Sequence, residues 1–175
     1  MNEKTAPEIL NSTEQDTGTI FELYRSATEY QLANGYNLWK EFDPELIATE
    51  IREKRHWKII IDGSVACIFS IFYSDPLLWG ELDNNHSIYI HRIATNPVFK
   101  GKGMTNLIID WVKSHAKETG RKFIRIDTWA DNKNLSAYYI KCGFHVVGHR
   151  QLDKEAKGLP KHYSTLSLVL LEISI

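Results

Sequence analysis

The stretch NPVFKGKGMTNLIIDW, residues 96–111, joins a polar loop to the start of a helix and decides how the whole chain is interpreted. Its first half contains Asn96, Pro97 and two glycines, each preceded by a lysine, which is a composition typical of a turn. From Met104 onward, apolar residues recur at helical spacing and predict an amphipathic helix. The first turn of a helix offers unpaired N–H groups and partial positive charge, so this segment predicts a site for an anion, in particular a phosphate or pyrophosphate. The alternative is a polar turn with solvated lysines.

The elements before and after this segment predict a mixed fold. The strand SIYIHRIAT begins at Ser87 and precedes the loop, and the strand KFIRIDTW begins at Lys122 and follows the helix. Upstream, two β-rich runs flank Asp62 and Gly63, a pair suited to a type I′ hairpin turn. The first forty residues are expected to be mainly helical, and a further helix is expected to begin after the N-cap Asp43.

The remaining segments complete the expected order of elements. The segment PLLWGELDNNH, residues 76–86, is expected to be a loop, and a short helix is expected to end at Gly143 before two closing strands. This order is not a uniform alternation of strand and helix, so the expected class is α/β, of the α+β type. Because no change of composition marks a linker, residues 1–175 are expected to form a single domain.

Composition excludes several classes of protein. The chain has 175 residues, of which 43% are hydrophobic and 25% charged, with a net charge of −1, so a dedicated nucleic-acid binder is not expected. Cys67 and Cys142 are too few for a disulfide framework, which favours a cytoplasmic location. The first residues show no signal sequence, and the longest apolar run, LSLVLLEISI, is too short to span a bilayer, so no membrane partner is expected.

Three types of phosphate-binding loop compete for the KGKG segment. The Walker A pattern GxxxxGK(S/T) fails because Gly103, not serine or threonine, follows Lys102. The dinucleotide pattern GxGxxG is met at Gly101 and Gly103 but broken at Asn106, although Asp127 lies at a suitable distance along the chain for a ribose contact. A dinucleotide-dependent oxidoreductase therefore stays a weaker alternative.

The third type is the loop of the GNAT superfamily of N-acetyltransferases, which this chain resembles. The family pattern Q/R-x-x-G-x-G/A follows a strand and often an NP or HP pair; here the segment reads RIATNPVFKGKGMTNLII. Lys100 stands at the Q/R position, Gly103 at the first family glycine and Thr105 at the G/A position, while Gly101 matches a glycine that many members carry. Lys100 keeps only the positive charge of the family residue, and Thr105 is bulkier than glycine or alanine.

A second segment strengthens the resemblance. The family pattern N-x-x-A-x-x-x-Y-x-x-x-G-F is matched in NKNLSAYYIKCGF by Asn132, Tyr139, Gly143 and Phe144, with Leu135 where alanine is usual. The resemblance covers residues 56–172 and implies a mixed, mostly antiparallel central sheet of about seven strands flanked by about four helices. It also implies acetyl-CoA as the acyl donor.

The resemblance assigns the residues that bind this donor. The loop that leads into the helix should bind the pyrophosphate. The end of the preceding strand should separate from the neighbouring strand, so that its backbone groups can pair with the pantetheine amides and the acetyl carbonyl. Asn132 and Tyr139 should also contact the donor. The loop residues are Lys100, Gly101, Lys102, Gly103, Met104 and Thr105, and the strand residues are Ile93, Ala94 and Thr95.

Acetyl transfer to an amine requires two proton transfers, and the chain offers candidates for both. The resemblance makes Tyr139 the acid that protonates the departing thiolate, with Tyr138 as a rival and a core tyrosine as the alternative. Tyr89, His91 and Ile93 should alternate along one face of their strand. The resemblance makes His91 the candidate base, since arylalkylamine-type members carry a histidine at the matching position and a neutral histidine can take up a proton. The alternative is that His91 has a structural role only and forms its hydrogen bonds with a neighbouring residue of the sheet. Asp127 and Glu81 are further candidate bases, and an amine that arrives neutral needs none.

The remaining expectations concern metals, partners and the overall reaction. The seven histidines form no HxxxH or HExxH set, so no metal is expected.

The expected function is direct transfer of an acetyl group, in a ternary complex, to a primary amine of a small molecule or a protein; the alternative is a catalytically inactive acyl-CoA sensor. A homodimer is an open alternative to a monomer. Five aromatic residues belong either to the acceptor pocket or to the core: Tyr24, Tyr30, Tyr36, Trp39 and Trp129.

Overall fold

The computed structural model describes residues 6–153, 157–161, 163 and 167–175, and these residues form one seven-stranded sheet with helices on both faces. The strand order is β1-β2-β3-β4-β5-β7-β6, and every neighbouring pair is antiparallel except β4 and β5. This arrangement confirms the mostly antiparallel α/β fold. The strands are β1 (Glu8–Asn11), β2 (His56–Ile61), β3 (Ser64–Phe72), β4 (Ser87–Thr95), β5 (Phe123–Trp129), β6 (His145–Gln151) and β7 (Ser167–Ser174).

Helices cover the sheet in two groups. The first two contribute apolar side chains to one core cluster with Ile68 and Ala94, and the long fourth helix packs its apolar side against the opposite face, where Ile90 lies. The fourth helix is the one predicted from apolar spacing after the glycine loop. The α-helices are α1 (Thr17–Ala33), α2 (Pro44–Arg52), α3 (Pro76–Trp79), α4 (Met104–Glu118) and α5 (Lys133–Lys141).

Two short elements depart from the sequence-based expectations. The strand β1 lies in the N-terminal region expected to be mainly helical, and it pairs with β2 at the edge of the sheet. Its four residues carry too short an alternation of buried and exposed positions to be recognised in the sequence. The helix α3 and a following 3-10 turn lie in the segment expected to be a loop; Asp75 caps this helix and Pro76 occupies its first turn.

The predicted hairpin is present between β2 and β3. Asp62 has a φ of 48° and Gly63 a φ of 75°, so both central residues lie in the left-handed region that a type I′ turn requires. None of the helices in the described part of the chain has the length and apolar character needed to cross a membrane.

The parallel strands β4 and β5 pair over only part of their length. Their register runs from Ser87 opposite Phe123 to Ile90 opposite Ile126, whereas β4 continues to Thr95 and β5 to Trp129. The two strands therefore part at their carboxyl ends and leave a gap in the sheet. In a parallel pair, this edge is also the one at which a following helix begins, and α4 begins there.

A bulge in β4 lies at the start of this gap. Arg92 has a φ of 51°, and the register with β3 shifts between Ile68 and Ser70. As a result, Ile93 packs with the core on the α4 side, while Ala94 packs with α1 and α2. The expectation that Ile93 shares a face with Tyr89 and His91 is therefore wrong, because the extra residue reverses the alternation.

An ion pair holds the bulge from the α2 side of the sheet. The Arg92 guanidinium pairs with the carboxylate of Glu50, and both side chains are buried. The same guanidinium donates a hydrogen bond of 3.2 Å to the Ser70 hydroxyl, and that hydroxyl donates one of 2.8 Å to Glu50. The unusual backbone of Arg92 is thus stabilised by a partner 42 residues earlier in the chain.

Candidate active site

A cavity of about 820 Å³ occupies the gap between the ends of β4 and β5. Its floor is formed by the two strands, and its walls come from α1, the segment after α1, the start of α4 and the start of α5. A cavity of this size at the carboxyl end of parallel strands is a typical ligand site.

The start of α4 presents free backbone donors to the cavity. Gly103 is the N-cap residue with a φ of 76°, and no side chain of the described chain caps this end. The Leu107 N–H donates a hydrogen bond of 3.2 Å to the Gly103 carbonyl, which is the first bond of the helix. The N–H groups of residues 104–106 therefore have no carbonyl acceptor within the helix. A Cβ atom added at Gly101 or Gly103 would have no atom of the described chain within 4 Å beyond its own sequence neighbours, so space is open next to the loop. This arrangement suits an anion.

The predicted loop residues do not all face this space. Lys100, Gly101, Gly103, Met104 and Thr105 line the cavity, whereas Lys102 is not among its lining residues. The Lys100 ammonium lies 3.3 Å from the centre of the Tyr30 ring of α1, and that of Lys102 lies 4.7 Å from the Phe99 ring. Of the two lysines, Lys100 is therefore the one placed to contact a ligand in the cavity.

The end of β4 contributes both backbone and side chains. Ile93, Ala94 and Thr95 line the cavity, and their strand has no pairing with β5 beyond Ile90. Backbone groups on that side of β4 are consequently available to an extended ligand.

The start and middle of α5 form the opposite wall. The Asn132 Oδ1 accepts a hydrogen bond of 3.0 Å from the Leu135 N–H, so this predicted ligand contact also caps the helix. Tyr139 is 7% exposed and packs edge-on against Phe144, while Tyr138 is 42% exposed; both line the cavity. Burial, followed by the charge of neighbouring groups, raises the pKa of Tyr139 well above its ordinary value, so its hydroxyl holds a proton at every working pH.

His91 lies between two carboxylates at the floor of the cavity. Its Nε2 is 3.0 Å from Asp75 Oδ2, and its Nδ1 is 3.7 Å from Asp127 Oδ1. Burial lowers the pKa of His91, but the hydrogen bond with Asp75 and the charges of both carboxylates outweigh that effect and raise it above its ordinary value. The edge of the imidazole packs against the Phe72 ring at 4.9 Å between centroids.

Asp127 is the second titratable group on the cavity floor. Burial and the charge of Asp75 raise the pKa of this carboxyl to about 6, although the charge of His91 works in the opposite direction. The Tyr163 hydroxyl donates a hydrogen bond of 3.5 Å to its Oδ2. A carboxylate with a pKa near neutrality can take up and release a proton in the range in which enzymes work.

Other candidate residues lie elsewhere. Tyr89 is fully buried; its hydroxyl donates to Asp83 Oδ1 at 2.5 Å and accepts from Arg125 at 2.9 Å, so it has a structural position. Glu81 lies in the 3-10 turn after α3 and does not line the cavity. Tyr24 stacks on Phe42 in the core, whereas the other four aromatic candidates and Tyr163 line the cavity.

Sequence reasoning missed Asp75. The Asp-Pro pair at residues 75 and 76 was a signal for a helix N-terminus, but its contact with His91 depends on how the turn after β3 folds back over β4. Asp75, His91 and Asp127 could each offer one ligand atom to a cation, since these atoms lie within 4.8 Å of one another. Proton sharing between His91 and the two carboxylates accounts for the same distances.

Comparisons with known proteins relate the chain to acetyltransferases. The sequence model of the Acetyltransferase (GNAT) family matches residues 19–144. An uncharacterized N-acetyltransferase, YesJ of Bacillus subtilis (strain 168), is 27% identical over 150 residues, which are 81% of each chain. A GNAT-family acetyltransferase from Listeria monocytogenes 4b F2365 superposes with a TM-score of 0.75 at 20% identity, over 99% of this chain and 100% of that one. The yncA protein of Salmonella typhimurium, solved with its cofactor acetyl-CoA, has a TM-score of 0.65 at 14% identity, over 97% and 94%.

Proposed function

Because this chain belongs to the GNAT family of acetyltransferases, we propose that it transfers an acetyl group from acetyl-CoA to a primary amine of a small molecule or a protein. The observation that carries the proposal is the pairing of two features in one cavity. One is the free N-terminus of α4, and the other is the unpaired end of β4. A pyrophosphate and an extended amide-containing arm require these two kinds of partner.

The positive end of the cavity binds the donor. The N–H groups of the first turn of α4 bind the pyrophosphate, and Lys100 adds a full positive charge beside them. The backbone of Ile93, Ala94 and Thr95 pairs with the amides of the pantetheine arm, and Asn132 contacts that arm from the opposite wall. A backbone N–H of β4 directed at the thioester carbonyl stabilises the negative charge that develops on its oxygen.

Proton transfer is divided between two sides of the cavity. The pair formed by His91 and Asp127 takes a proton from the incoming ammonium. The resulting neutral amine then attacks the thioester carbonyl directly. Tyr139, whose hydroxyl is protonated at working pH, donates a proton to the departing thiolate. No step requires a covalent acetyl-enzyme, because Cys67 is buried in the sheet and burial raises the pKa of its thiol to about 12.

Thermal stabilisation by acetyl-CoA tests the donor site. The wild type should gain about 5–10 °C in Tm at a concentration of 100 times Kd. Gly103→Asp should gain nothing, because its carboxylate would face the pyrophosphate. Gly103→Asn is the matched control: it has the same size and tolerates the left-handed backbone, but it is neutral, so it should retain most of the shift.

Equal stabilisation of wild type and Gly103→Asp would place the pyrophosphate elsewhere and overturn the donor site. Protection by NAD in place of acetyl-CoA would favour the dinucleotide alternative. Release of free thiol with a panel of amines then measures transfer, and binding of acetyl-CoA without turnover on any amine would favour the sensor alternative.

A further inference from the structure

Asp75 belongs to none of the family motifs, yet it contacts the candidate base. It lies in the turn between β3 and α3, and its Oδ2 is 3.0 Å from His91 Nε2. We propose that Asp75 is a positioning residue that keeps a proton on His91 Nε2, so that Nδ1 and Asp127 form the proton-accepting pair of the cavity. This proposal rests on the proposed transfer reaction.

The two oxygens of the Asp75 carboxylate contact different partners. Its Oδ1 accepts the Leu78 N–H at 3.4 Å as the N-cap of α3, which leaves Oδ2 for His91. The Asp75 side chain is only 12% exposed, so its charge acts on the imidazole with little screening by solvent. The nearby charge at Oδ2, 3.0 Å from Nε2, favours the tautomer that carries its proton on Nε2, which leaves the lone pair on Nδ1.

The turn that carries Asp75 is itself anchored. The Asp75 N–H donates to Asp83 Oδ1 at 2.9 Å, and the Ser74 hydroxyl donates to Asp83 Oδ2 at 2.9 Å. Asp83 is fixed in turn by the hydroxyl of Tyr89, which is bonded to Arg125. This chain of polar contacts gives buried Tyr89 a role: it holds the turn in the position from which Asp75 reaches His91.

The charges around His91 favour a proton on the imidazole. Asp75 faces it from the turn and Asp127 from β5, while Arg92, the next residue of β4, is neutralised by Glu50. The Tyr163 hydroxyl donates to Asp127, and β3 contributes the apolar ring of Phe72, which packs against the imidazole. The charge of Asp75 is therefore one of two that stabilise the imidazolium.

In the reaction, the ammonium form of the acceptor loses one proton to the Nδ1–Asp127 pair. The Nε2 proton stays on His91 throughout, stabilised by the nearby charge of Asp75. After attack, the nitrogen loses a second proton as the amide forms, and this proton replaces the one that Tyr139 gives to the departing thiolate. The pair returns its own proton to solvent, so the site is restored without any further reactant. Loss of Asp75 would let the ring rotate or change tautomer, which turns the lone pair away from the cavity.

The decisive variant is Asp75→Asn, because asparagine is also a good N-cap and is nearly isosteric. We expect the His91 pKa, followed by NMR and assigned with His91→Gln, to fall when the charge of Asp75 is lost. The value of kcat/KM should fall about 10-fold or more, with its acidic limb moved to lower pH, while KM for acetyl-CoA stays the same. Asp75→Ser, another neutral capping residue, is measured alongside it.

Asp43→Asn is the matched control. Asp43 also precedes a proline and caps a helix, accepting the Glu45 N–H at 3.0 Å, but it is exposed. The Asp43→Asn substitution should leave the His91 pKa and the kinetics unchanged. An unchanged His91 pKa in both Asp75 variants would overturn the proposal and make Asp75 a helix cap alone. Since the NMR readout needs no turnover, it also separates this result from a failure of the proposed activity.

Discussion

At the scale of single residues, the substitution of Tyr139 gives the most specific prediction. Its ring is part of the core, but its helix also lines the cavity, so its hydroxyl can reach a ligand while its position is fixed. Tyr139→Phe should lower kcat by about 100-fold, since it removes the general acid of the proposed mechanism, and should leave the affinity for acetyl-CoA nearly unchanged. Steady-state kinetics and isothermal titration would measure the two quantities.

Tyr138→Phe is the matched control for this variant. Tyr138 neighbours Tyr139 and lines the same cavity, but it is much more exposed. It should keep nearly full turnover. A larger loss in Tyr138→Phe than in Tyr139→Phe would transfer the acid role to Tyr138.

The residues that the sequence predicts best are those whose neighbours are close along the chain. Gly103 was identified because its loop and helix form one continuous segment, and the structure places it at the uncapped start of α4. His91 was selected from its strand, but its partners Asp75 and Asp127 come from separate turns and strands. Such contacts depend on how distant elements pack, which periodicity along the chain does not encode.

At the scale of elements, the bulge of β4 depends on helix α2, which comes much earlier in the chain and packs against β3 and β4. Glu50→Ala should leave the buried Arg92 charge without a partner and lower the free energy of unfolding by about 3–5 kcal/mol. Chemical denaturation measures this loss. The cavity should be perturbed in the same variant, because the carbonyl and N–H directions of β4 change at the bulge.

Glu45→Ala provides the comparison on the same helix. Glu45 pairs with Arg52 on the exposed side of α2, where screening by solvent makes the contribution of such a pair to stability small. If Glu50→Ala were no more destabilising than Glu45→Ala, the ion pair would not be what holds the bulge.

Prediction of elements from the sequence succeeded where a long pattern was present. The helix α4 and the β2–β3 hairpin have strong local signals, and both are found. The bulge at Arg92 has none: arginine does not favour a left-handed backbone, and its partner lies in α2. The edge strand β1 and the four-residue helix α3 were missed because they are too short to show a period.

At the scale of the whole molecule, His56 links stability to pH. It is fully buried between Tyr24 and Ser12, and burial lowers its pKa from 6.5 to about 4. The unfolded chain therefore binds this proton more readily, so stability is complete above pH 6.5 and is lost as the pH falls toward 4. His56 alone should account for a loss of about 3 kcal/mol across this range.

The comparison that isolates this effect is between wild type and His56→Gln. Urea titrations at several pH values should show a shallower decline for the variant, with His145→Gln, an exposed position, behaving as wild type. His91 and Asp127 have raised pKa values and shift stability in the opposite sense, but they are common to all three proteins. Parallel curves for wild type and His56→Gln would contradict the prediction.

The parting of β4 and β5 has a consequence for how such a protein can diverge. Beyond the four registered pairs, the groups offered to a ligand are peptide groups, and nearly every side-chain replacement leaves them in place. Proline, which lacks the N–H, is the exception. If the donor binds these peptide groups as proposed, substitutions in the cavity walls can change the preferred acceptor while donor binding persists, so new acceptor preferences can arise without rebuilding the site.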